Sequence, residues 1–370
     1  MTDALAIRVW REPGLLGRLN LADWDLLLRQ CAETQLSGSL LRKVEDEGLL
    51  ERIPAPAREH LLWTRVALER HEQAAHFELT RIRAALAEAG VELILMKGAA
   101  YLAAGLPAGR GRLFSDIDVL VPKDRLDEVE AALMLHGWAT THHDAYDQRY
   151  YRSWMHEIPP LMHYRRRSVI DVHHTILPET APVHPDPAKL RAAAVPAAPG
   201  YRMLAPADLV LHSAVHLFFD GEFDKGLRDL LDQHRLLLHF GADPAFWPAL
   251  QARAIEQELT RPLFYMLRYG ARMLGTPVPE AAMAAAAQAG APNPLLLRLM
   301  DALFLRALQP DHPSCADALT GAARFCLYVR GNWLRMPPLL LARHLFHKAF
   351  ISPRQQDEQP PDLHQPEPQP

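Results

Sequence analysis

Cysteine is scarce in this sequence of 370 residues. Cys31, Cys315 and Cys326 lie far apart and show none of the paired spacings by which cysteines bind structural metals or form a disulfide framework. Disulfide-rich chains belong to oxidising compartments, whereas scattered thiols are typical of reducing ones. We therefore expect reduced, mostly buried thiols and a cytoplasmic location.

Long apolar runs and an excess of basic charge are also missing. The chain contains no stretch of about eighteen uncharged apolar residues, so we expect no membrane span. Its first residues lack the basic and apolar segments of a signal peptide. The 40 Lys and Arg residues against 44 Asp and Glu residues give a formal charge of −4, which argues against a long nucleic acid as the partner.

The residues that are present are typical of a soluble globular protein, with 49% apolar and 23% charged side chains. The segment from Arg58 to Gly90 contains neither Pro nor internal Gly, which predicts one long amphipathic helix that ends at Gly90. The proline-rich stretch 178–200 predicts a surface connection. The polar, proline-rich residues from Ser352 onward predict disorder.

The length predicts two or three packed units. We expect an α+β fold in which a small mixed β-sheet core is flanked by helical regions at both ends. The predicted regions are an N-terminal helical region 1–88, a core 89–178, a connection 179–203, a C-terminal helical domain 204–351 and a disordered tail 352–370.

The central motif is Asp-Ile-Asp within residues 113–121, an otherwise apolar and β-branched run typical of a buried strand. Side chains alternate along a strand, so Asp116 and Asp118 point to the same face. Two neighbouring carboxylates repel each other, and Mg²⁺ between them removes the repulsion. The alternative is that both aspartates lie on the solvated face of an edge strand.

A second β-branched run, residues 169–173, again places two polar side chains, Asp171 and His173, on one face. If its strand lies beside the first, Asp116, Asp118 and Asp171 converge, and three carboxylates are enough to hold two metal ions for phosphoryl or nucleotidyl transfer. For His173, contact with metal-bound water or phosphate and a purely structural role both stay open.

Upstream, residues 91–96 read as a strand that stops at Lys97 and Gly98 and is followed by a helix-forming segment. Free backbone N–H groups at such a turn, together with the positive charge of Lys97, suit a triphosphate. Arg110 and Arg112 stand in the loop before the Asp-Ile-Asp strand and could neutralise phosphate charge. The alternative is that they are solvated loop arginines.

The histidines and aromatic residues give weaker indications. Residues 140–168 are expected to form antiparallel strands, and Tyr150, Trp154, His156 and His163 are candidate acceptor contacts, with packing as the alternative for each. Farther on, His212 and His216 are spaced to share one helical face, which is half of a metal site or a structural pair. Arg228 and Asp232 are spaced to pair with each other within one helix.

Taken together, these segments resemble the uncharacterised nucleotidyltransferase family of the DNA polymerase β-like nucleotidyltransferase superfamily. The resemblance spans roughly residues 80 to 240. It is carried by LILMKGAAYLAAG (93–105), Arg112, SDIDVLV (115–121), LMLHGW (133–138), VIDVHHTI (169–176) and LAPADLVLHSAVHLF (204–218).

The resemblance implies a role for each matched residue. Asp116, Asp118 and Asp171 would be the catalytic residues and the ligands of two Mg²⁺ ions. Lys97, Gly98, Arg112 and Ser115 would bind the nucleoside triphosphate. The chain departs from the superfamily pattern in having Ala99 where a serine usually follows the glycine, and in a longer spacer between Gly98 and Asp116.

Three functions are therefore compared. The first is a Mg²⁺-dependent nucleotidyltransferase that uses an NTP, with an unknown small-molecule or protein acceptor. The second is a catalytically quiet nucleotide-binding or partner-binding module of the same fold. The third is a metal hydrolase built on His212 and His216, although no third ligand is evident in the sequence.

Overall fold

The computed structural model describes residues 3–140, 144–337 and 340–342. The predicted disordered tail 352–370, and residues 343–351 before it, lie outside the described residues. In the part of the chain that is described, one seven-stranded mixed sheet is combined with helices on both sides of it in sequence. The predicted α+β class with helical flanks is confirmed.

The N-terminal region is helical. The side chain of Asn20 accepts the backbone N–H of Asp23, and the Asp23 carboxylate accepts that of Asn20, so this capping box begins the second helix. The fourth helix is the predicted long one, and it ends just before Gly90, whose φ of +64° favours glycine. The four helices are α1 (Leu5–Arg11), α2 (Leu21–Glu33), α3 (Ser37–Asp46) and α4 (Ala55–Glu88).

The sheet has the strand order β3-β4-β5-β2-β1-β7-β6. The two strands with aspartates are direct neighbours, run parallel and pair residue for residue. The strands are β1 (Ile94–Leu95), β2 (Asp116–Leu120), β3 (Trp138–Thr140), β4 (Leu161–His163), β5 (Val169–His173), β6 (Val195–Ala198) and β7 (Tyr201–Met203).

Four helices connect these strands. Leu126–Leu135 returns the chain from β2 to β3 after a short 3₁₀ turn at Lys123–Arg125. A further 3₁₀ turn, Pro107–Gly109, lies in the loop before β2. The connecting helices are α5 (Lys97–Ala103), α6 (Leu126–Leu135), α7 (Ala145–Trp154) and α8 (Pro187–Ala193).

The prediction of antiparallel strands throughout residues 140–168 is wrong in part. Residues Ala145–Trp154 form α7, and only the segment Leu161–His163 adds an antiparallel strand. The reason is the spacing of the aromatic residues. Tyr146, Tyr150 and Trp154 are four residues apart, so their rings meet along one side of a helix, with centroids 5.9 Å apart for Tyr150 and Trp154.

The proline-rich connection also has more structure than its composition indicates. The Asp186 side chain accepts the backbone N–H groups of Ala188 and Lys189 and so begins α8. After α8 the chain forms the β6–β7 hairpin, and β7 pairs in parallel with β1. This segment therefore extends the sheet.

The C-terminal helices surround α9, whose residues are nearly all buried and which packs against α10, α11, α12 and α15. Apolar side chains of these helices join those of the sheet and the N-terminal helices in one continuous core. Within the described ranges, no helix is both long and apolar enough to cross a membrane. The helices are α9 (Pro206–Asp220), α10 (Gly226–Phe240), α11 (Phe246–Glu256), α12 (Thr260–Tyr269), α13 (Glu280–Gly290), α14 (Pro294–Ala307) and α15 (Thr320–Arg335), with a π-helical turn at Gly270–Leu274.

Candidate functional site

Three carboxylates meet on one face of the sheet. Asp118 on β2 lies directly opposite Asp171 on β5, and Asp116 lies two residues earlier on the same face. One carboxylate oxygen from each of the three lies within 4.8 Å of the others. Because β2 is an interior strand between β5 and β1, and Asp118 is only 3% exposed, the alternative of a solvated edge strand is wrong.

Asp118 is held by two neighbouring side chains. The ammonium group of Lys97 donates to Asp118 Oδ1 at 2.7 Å, and His173 Nε2 donates to the same oxygen at 2.9 Å. Burial alone would raise the pKa of Asp118, but Lys97 and His173 outweigh burial and hold the pKa far below its usual range. Asp118 is therefore a carboxylate at every physiological pH.

Asp171 has the opposite electrostatic environment. Burial and the negative charges of Glu157 and Asp118 raise the pKa of Asp171 well above its ordinary value. Its Oδ1 atom is buried and has no hydrogen-bond partner among the described residues. A buried carboxylate oxygen without a donor, next to two further carboxylates, is a group that a divalent cation satisfies. The residues thus fit the Mg²⁺ that the sequence predicts.

The turn between β1 and α5 gives Lys97 its position. Lys97 has a φ of +44°, a left-handed conformation that few non-glycine residues adopt. Burial would lower the pKa of Lys97, but the neighbouring Asp118 and Asp116 carboxylates raise it, so its ammonium group stays charged. Lys97 therefore already neutralises part of the charge of the three aspartates.

Gly98 is required by packing rather than by its backbone conformation. A Cβ atom at Gly98 would collide with the Arg112 guanidinium and would lie 3.0 Å from the Phe114 ring. Arg112 is buried, and its Nε donates to Asp232 Oδ2 at 2.6 Å. Ser115 Oγ donates to Asp116 Oδ1 at 3.0 Å and so orients that carboxylate.

The predicted pairing of Arg228 with Asp232 is wrong. Asp232 binds Arg112 from another part of the chain, and Arg228 donates to Asp229 Oδ1 at 2.8 and 2.9 Å and to Gln35 at 2.6 Å. Helical spacing allows Arg228 and Asp232 to pair, but Asp232 instead contacts Arg112, which comes from the loop before β2. This choice depends on the tertiary fold and not on the local sequence.

Two cavities adjoin the three aspartates. The first has a volume of about 250 Å³ and the second about 230 Å³, and both are lined by Lys97, Asp116, His216 and Asp220. Further residues that line the first cavity include Arg112, Ser115, Asp118, Lys225 and Arg228. Further residues that line the second cavity include His156, Glu157, Asp171, His173, His212 and Phe219.

Of the four candidate acceptor contacts, His156 is the one that lines the second cavity. Tyr150 and Trp154 contact each other on α7, and His163 packs edge-on against Trp138 with ring centroids 5.1 Å apart. The structure therefore shows packing contacts for Tyr150, Trp154 and His163.

The structure also places Glu157 at the site, which the sequence analysis missed. Glu157 pairs with His173 in an isolated antiparallel bridge, and this pairing brings its carboxylate next to Asp171. Its sequence context, His-Glu-Ile-Pro-Pro, has neither helical nor strand periodicity. The local sequence therefore held no signal for its position.

His212 and His216 both lie along the second cavity. His216 Nδ1 is 3.5 Å from Asp229 Oδ2, and His212 is buried. In the described residues, neither belongs to a group of three side chains whose ligand atoms lie within 4.8 Å of one another. The geometry thus supplies no third ligand for the hydrolase hypothesis.

Comparison with known proteins agrees with the resemblance in the sequence. No curated protein and no solved structure matches the chain. Residues 20–275, which include all three aspartates, Lys97 and Arg112, match the family described as uncharacterised nucleotidyltransferase. This match covers more than half of the chain, and the protein therefore belongs to the uncharacterised nucleotidyltransferase family.

Proposed function

We propose that the protein is a Mg²⁺-dependent nucleotidyltransferase that moves a nucleoside monophosphate from an NTP to an acceptor hydroxyl. The acceptor oxygen attacks the α-phosphorus, the bond from that phosphorus to the oxygen bridging to the β-phosphorus breaks, and pyrophosphate leaves. The observation that carries the proposal is the convergence of three carboxylates from two adjacent strands, one of them with an unpartnered buried oxygen.

Each aspartate has its own part in the proposal. Asp116, Asp118 and Asp171 would hold the metal ions. Bound Mg²⁺ supplies positive charge that polarises the phosphates and favours ionisation of the acceptor hydroxyl. Asp171 would also accept the proton of the acceptor hydroxyl. Lys97 and His173 keep Asp118 ionised and fixed.

We assign the nucleotide to the first cavity and the acceptor to the second. Lys97 and Lys225 line the first cavity together with several carboxylates, so a triphosphate would bind there as its complex with Mg²⁺. The second cavity mixes imidazoles and carboxylates with the apolar Phe219. Its volume of about 230 Å³ suits a small molecule or one side chain of a protein. The two cavities meet at Lys97 and Asp116, where transfer would occur.

The test is to incubate the full chain with Mg²⁺, each α-labelled NTP and a cell extract, and then to find the labelled product. Label is expected on one acceptor class with the wild type and the Asp124→Asn control, whose carboxylate is exposed and away from the cleft. Label is not expected with Asp118→Asn. Transfer by Asp118→Asn at the wild-type rate would overturn the mechanism, and nucleotide binding without any transfer would favour the catalytically quiet module.

A further inference from the structure

A second group of possible metal ligands lies beside the three aspartates. It consists of His156, Glu157 and His173, each of which offers one ligand atom within 4.8 Å of the other two. The bridge between Glu157 and His173 fixes the two backbones, and the imidazole rings of His156 and His173 lie 5.2 Å apart at an angle of 33°. All three residues line the second cavity.

The hydrogen bond of His173 determines which of its nitrogens is free. Nε2 donates to the Asp118 carboxylate at 2.9 Å, so in the neutral ring Nδ1 carries the lone pair. His173 is 1% exposed, and its Nδ1 lies 3.4 Å from Glu157 Oε2, yet it has no hydrogen-bond partner in the described ranges. A lone pair that faces a carboxylate oxygen in a buried place is repelled by it, and a cation between them turns repulsion into attraction.

His156 shows the same deficit. Its Nδ1 is buried and also lacks a hydrogen-bond partner among the residues described. Buried side-chain nitrogens are nearly always satisfied in folded proteins. His156 Nε2 lies 4.0 Å from Glu157 Oε2, the same oxygen that His173 Nδ1 approaches, so both imidazoles converge on one carboxylate. This convergence points to a ligand that accepts electron pairs.

We propose that His156, Glu157 and His173 form a second metal site that takes a borderline transition-metal ion, with Zn²⁺ as the reference. Two imidazole nitrogens and one carboxylate oxygen are donors that Zn²⁺ prefers, whereas the oxygen-only group of three aspartates suits Mg²⁺. Three protein ligands leave a further coordination position, which faces the second cavity. The inference does not depend on transferase activity.

Asp118 gives the site a supporting partner. Histidines that bind metals commonly donate their other ring N–H to a carboxylate, which fixes the tautomer and the ring orientation. His173 makes this contact with Asp118 through Nε2. Asp118 is therefore a positioning residue for the second site while it serves as a ligand in the first.

The proposal is tested by direct metal binding to the full chain after removal of metals with a chelator. The chain is titrated with Zn²⁺ against a chromophoric chelator, and with Co²⁺, whose visible absorption reports the coordination geometry of the bound ion. One equivalent is expected to bind, with His156→Gln and the near-isosteric Glu157→Gln each weakening Zn²⁺ affinity at least about a hundred-fold and removing the Co²⁺ band. Asp118→Asn is expected to weaken affinity by about 10- to 100-fold.

His174→Gln is the matched control, since His174 is the next residue after His173 and is not among the three ligands. It should bind Zn²⁺ as the wild type does. Equal Zn²⁺ affinity in the wild type, His156→Gln and Glu157→Gln, or no binding of Zn²⁺ to the wild type, would overturn the second site. Circular dichroism of each variant separates loss of a ligand from loss of folding, and because no readout uses transfer, failure of the proposed function would leave this result intact.

Discussion

Two groups of charged side chains lie beside the same cleft, and they differ in how their charges are balanced. In the sheet group, the carboxyl groups of Asp116, Asp118, Asp171 and Glu157 have one lysine, Lys97, among them. The helix group consists of the side chains Arg112, Arg228, Asp229 and Asp232, two arginines against two aspartates, at contacts of 2.6 to 3.9 Å.

The balance of charge in the two groups shows how a cluster that stabilises the fold differs from a cluster that serves a function. The helix group is neutral as a whole and joins three distant parts of the chain, because Arg112 comes from the loop before β2 and Arg228 reaches Gln35 on the N-terminal side. The sheet group is short of positive charge and leaves the Asp171 Oδ1 atom without a donor. Charged side chains of the same types therefore carry different consequences, depending on whether opposite charges balance them.

The largest expected effect is on transfer. Asp116→Asn removes one negative charge from the sheet group, so the site would hold the metal ions that contact the phosphates and the acceptor less tightly. We expect the rate of nucleotidyl transfer to fall at least about a thousand-fold, or about 4 kcal/mol. Chemical denaturation should show that the variant still unfolds cooperatively, as the wild type does. A rate within about tenfold of the wild type would show that Asp116 is not needed for transfer.

The next effect is on stability, and it belongs to the helix group. Asp232→Ala leaves the buried Arg112 guanidinium without its 2.6 Å partner, and we expect the free energy of unfolding to fall by about 3 to 5 kcal/mol. Urea denaturation measures this loss. The double variant Arg112→Met with Asp232→Ala should recover part of it, and no recovery would show that the two charges are not a coupled pair.

A smaller loss of folding stability is expected at Gly98, which follows Lys97 of the sheet group and lies against Arg112 of the helix group. Gly98→Ala places a methyl group against Arg112, which is anchored to Asp232 and cannot swing away, and near the Phe114 ring. We expect a loss of about 1 to 3 kcal/mol in urea denaturation. Ala99→Gly on the same helix is the control for helix propensity and should cost about 1 kcal/mol or less; equal losses would remove the packing argument.

Measured over a single pH unit, the smallest effect is a dependence of stability on pH in the metal-free protein. The pKa of Asp171 is raised in the folded state, chiefly by burial, so above the ordinary carboxyl pKa the folded chain binds more protons than the unfolded chain. Its stabilising contribution is present at low pH and decreases as pH rises, with a slope of at most about 1.4 kcal/mol per pH unit. With chelator present, Asp171→Asn should lack this slope, and an identical slope in both proteins would contradict the pKa shift.

Much of this arrangement is predictable from the sequence because it depends on local periodicity. Alternation along the strands places Asp116 and Asp118 on one face, and the absence of Pro and Gly predicts the long helix α4. The sequence places Asp171 beside the other two aspartates only on the condition that the two strands are neighbours, and the resemblance to a known family implies that Asp171 joins them. The structure shows that the two strands are neighbours and parallel.

The rest depends on tertiary contacts that no local pattern encodes. Glu157 reaches the site through one isolated bridge in a stretch without periodicity, and Arg112 contacts Asp232 because the fold brings α10 against its loop. The helix α7 is different, since the four-residue spacing of its aromatic side chains was present in the sequence and outweighs their preference for strands.

The central claim is that the carboxylates of the sheet group bind a divalent cation. The most direct measurement is a titration of the chelator-treated chain with Mn²⁺, followed by electron paramagnetic resonance of the unbound ion and displacement by Mg²⁺. We predict Mg²⁺-displaceable Mn²⁺ binding in the wild type and in Asp124→Asn, weakened at least about tenfold in Asp171→Asn. Equal Mg²⁺-displaceable binding in the wild type and Asp171→Asn would contradict the account.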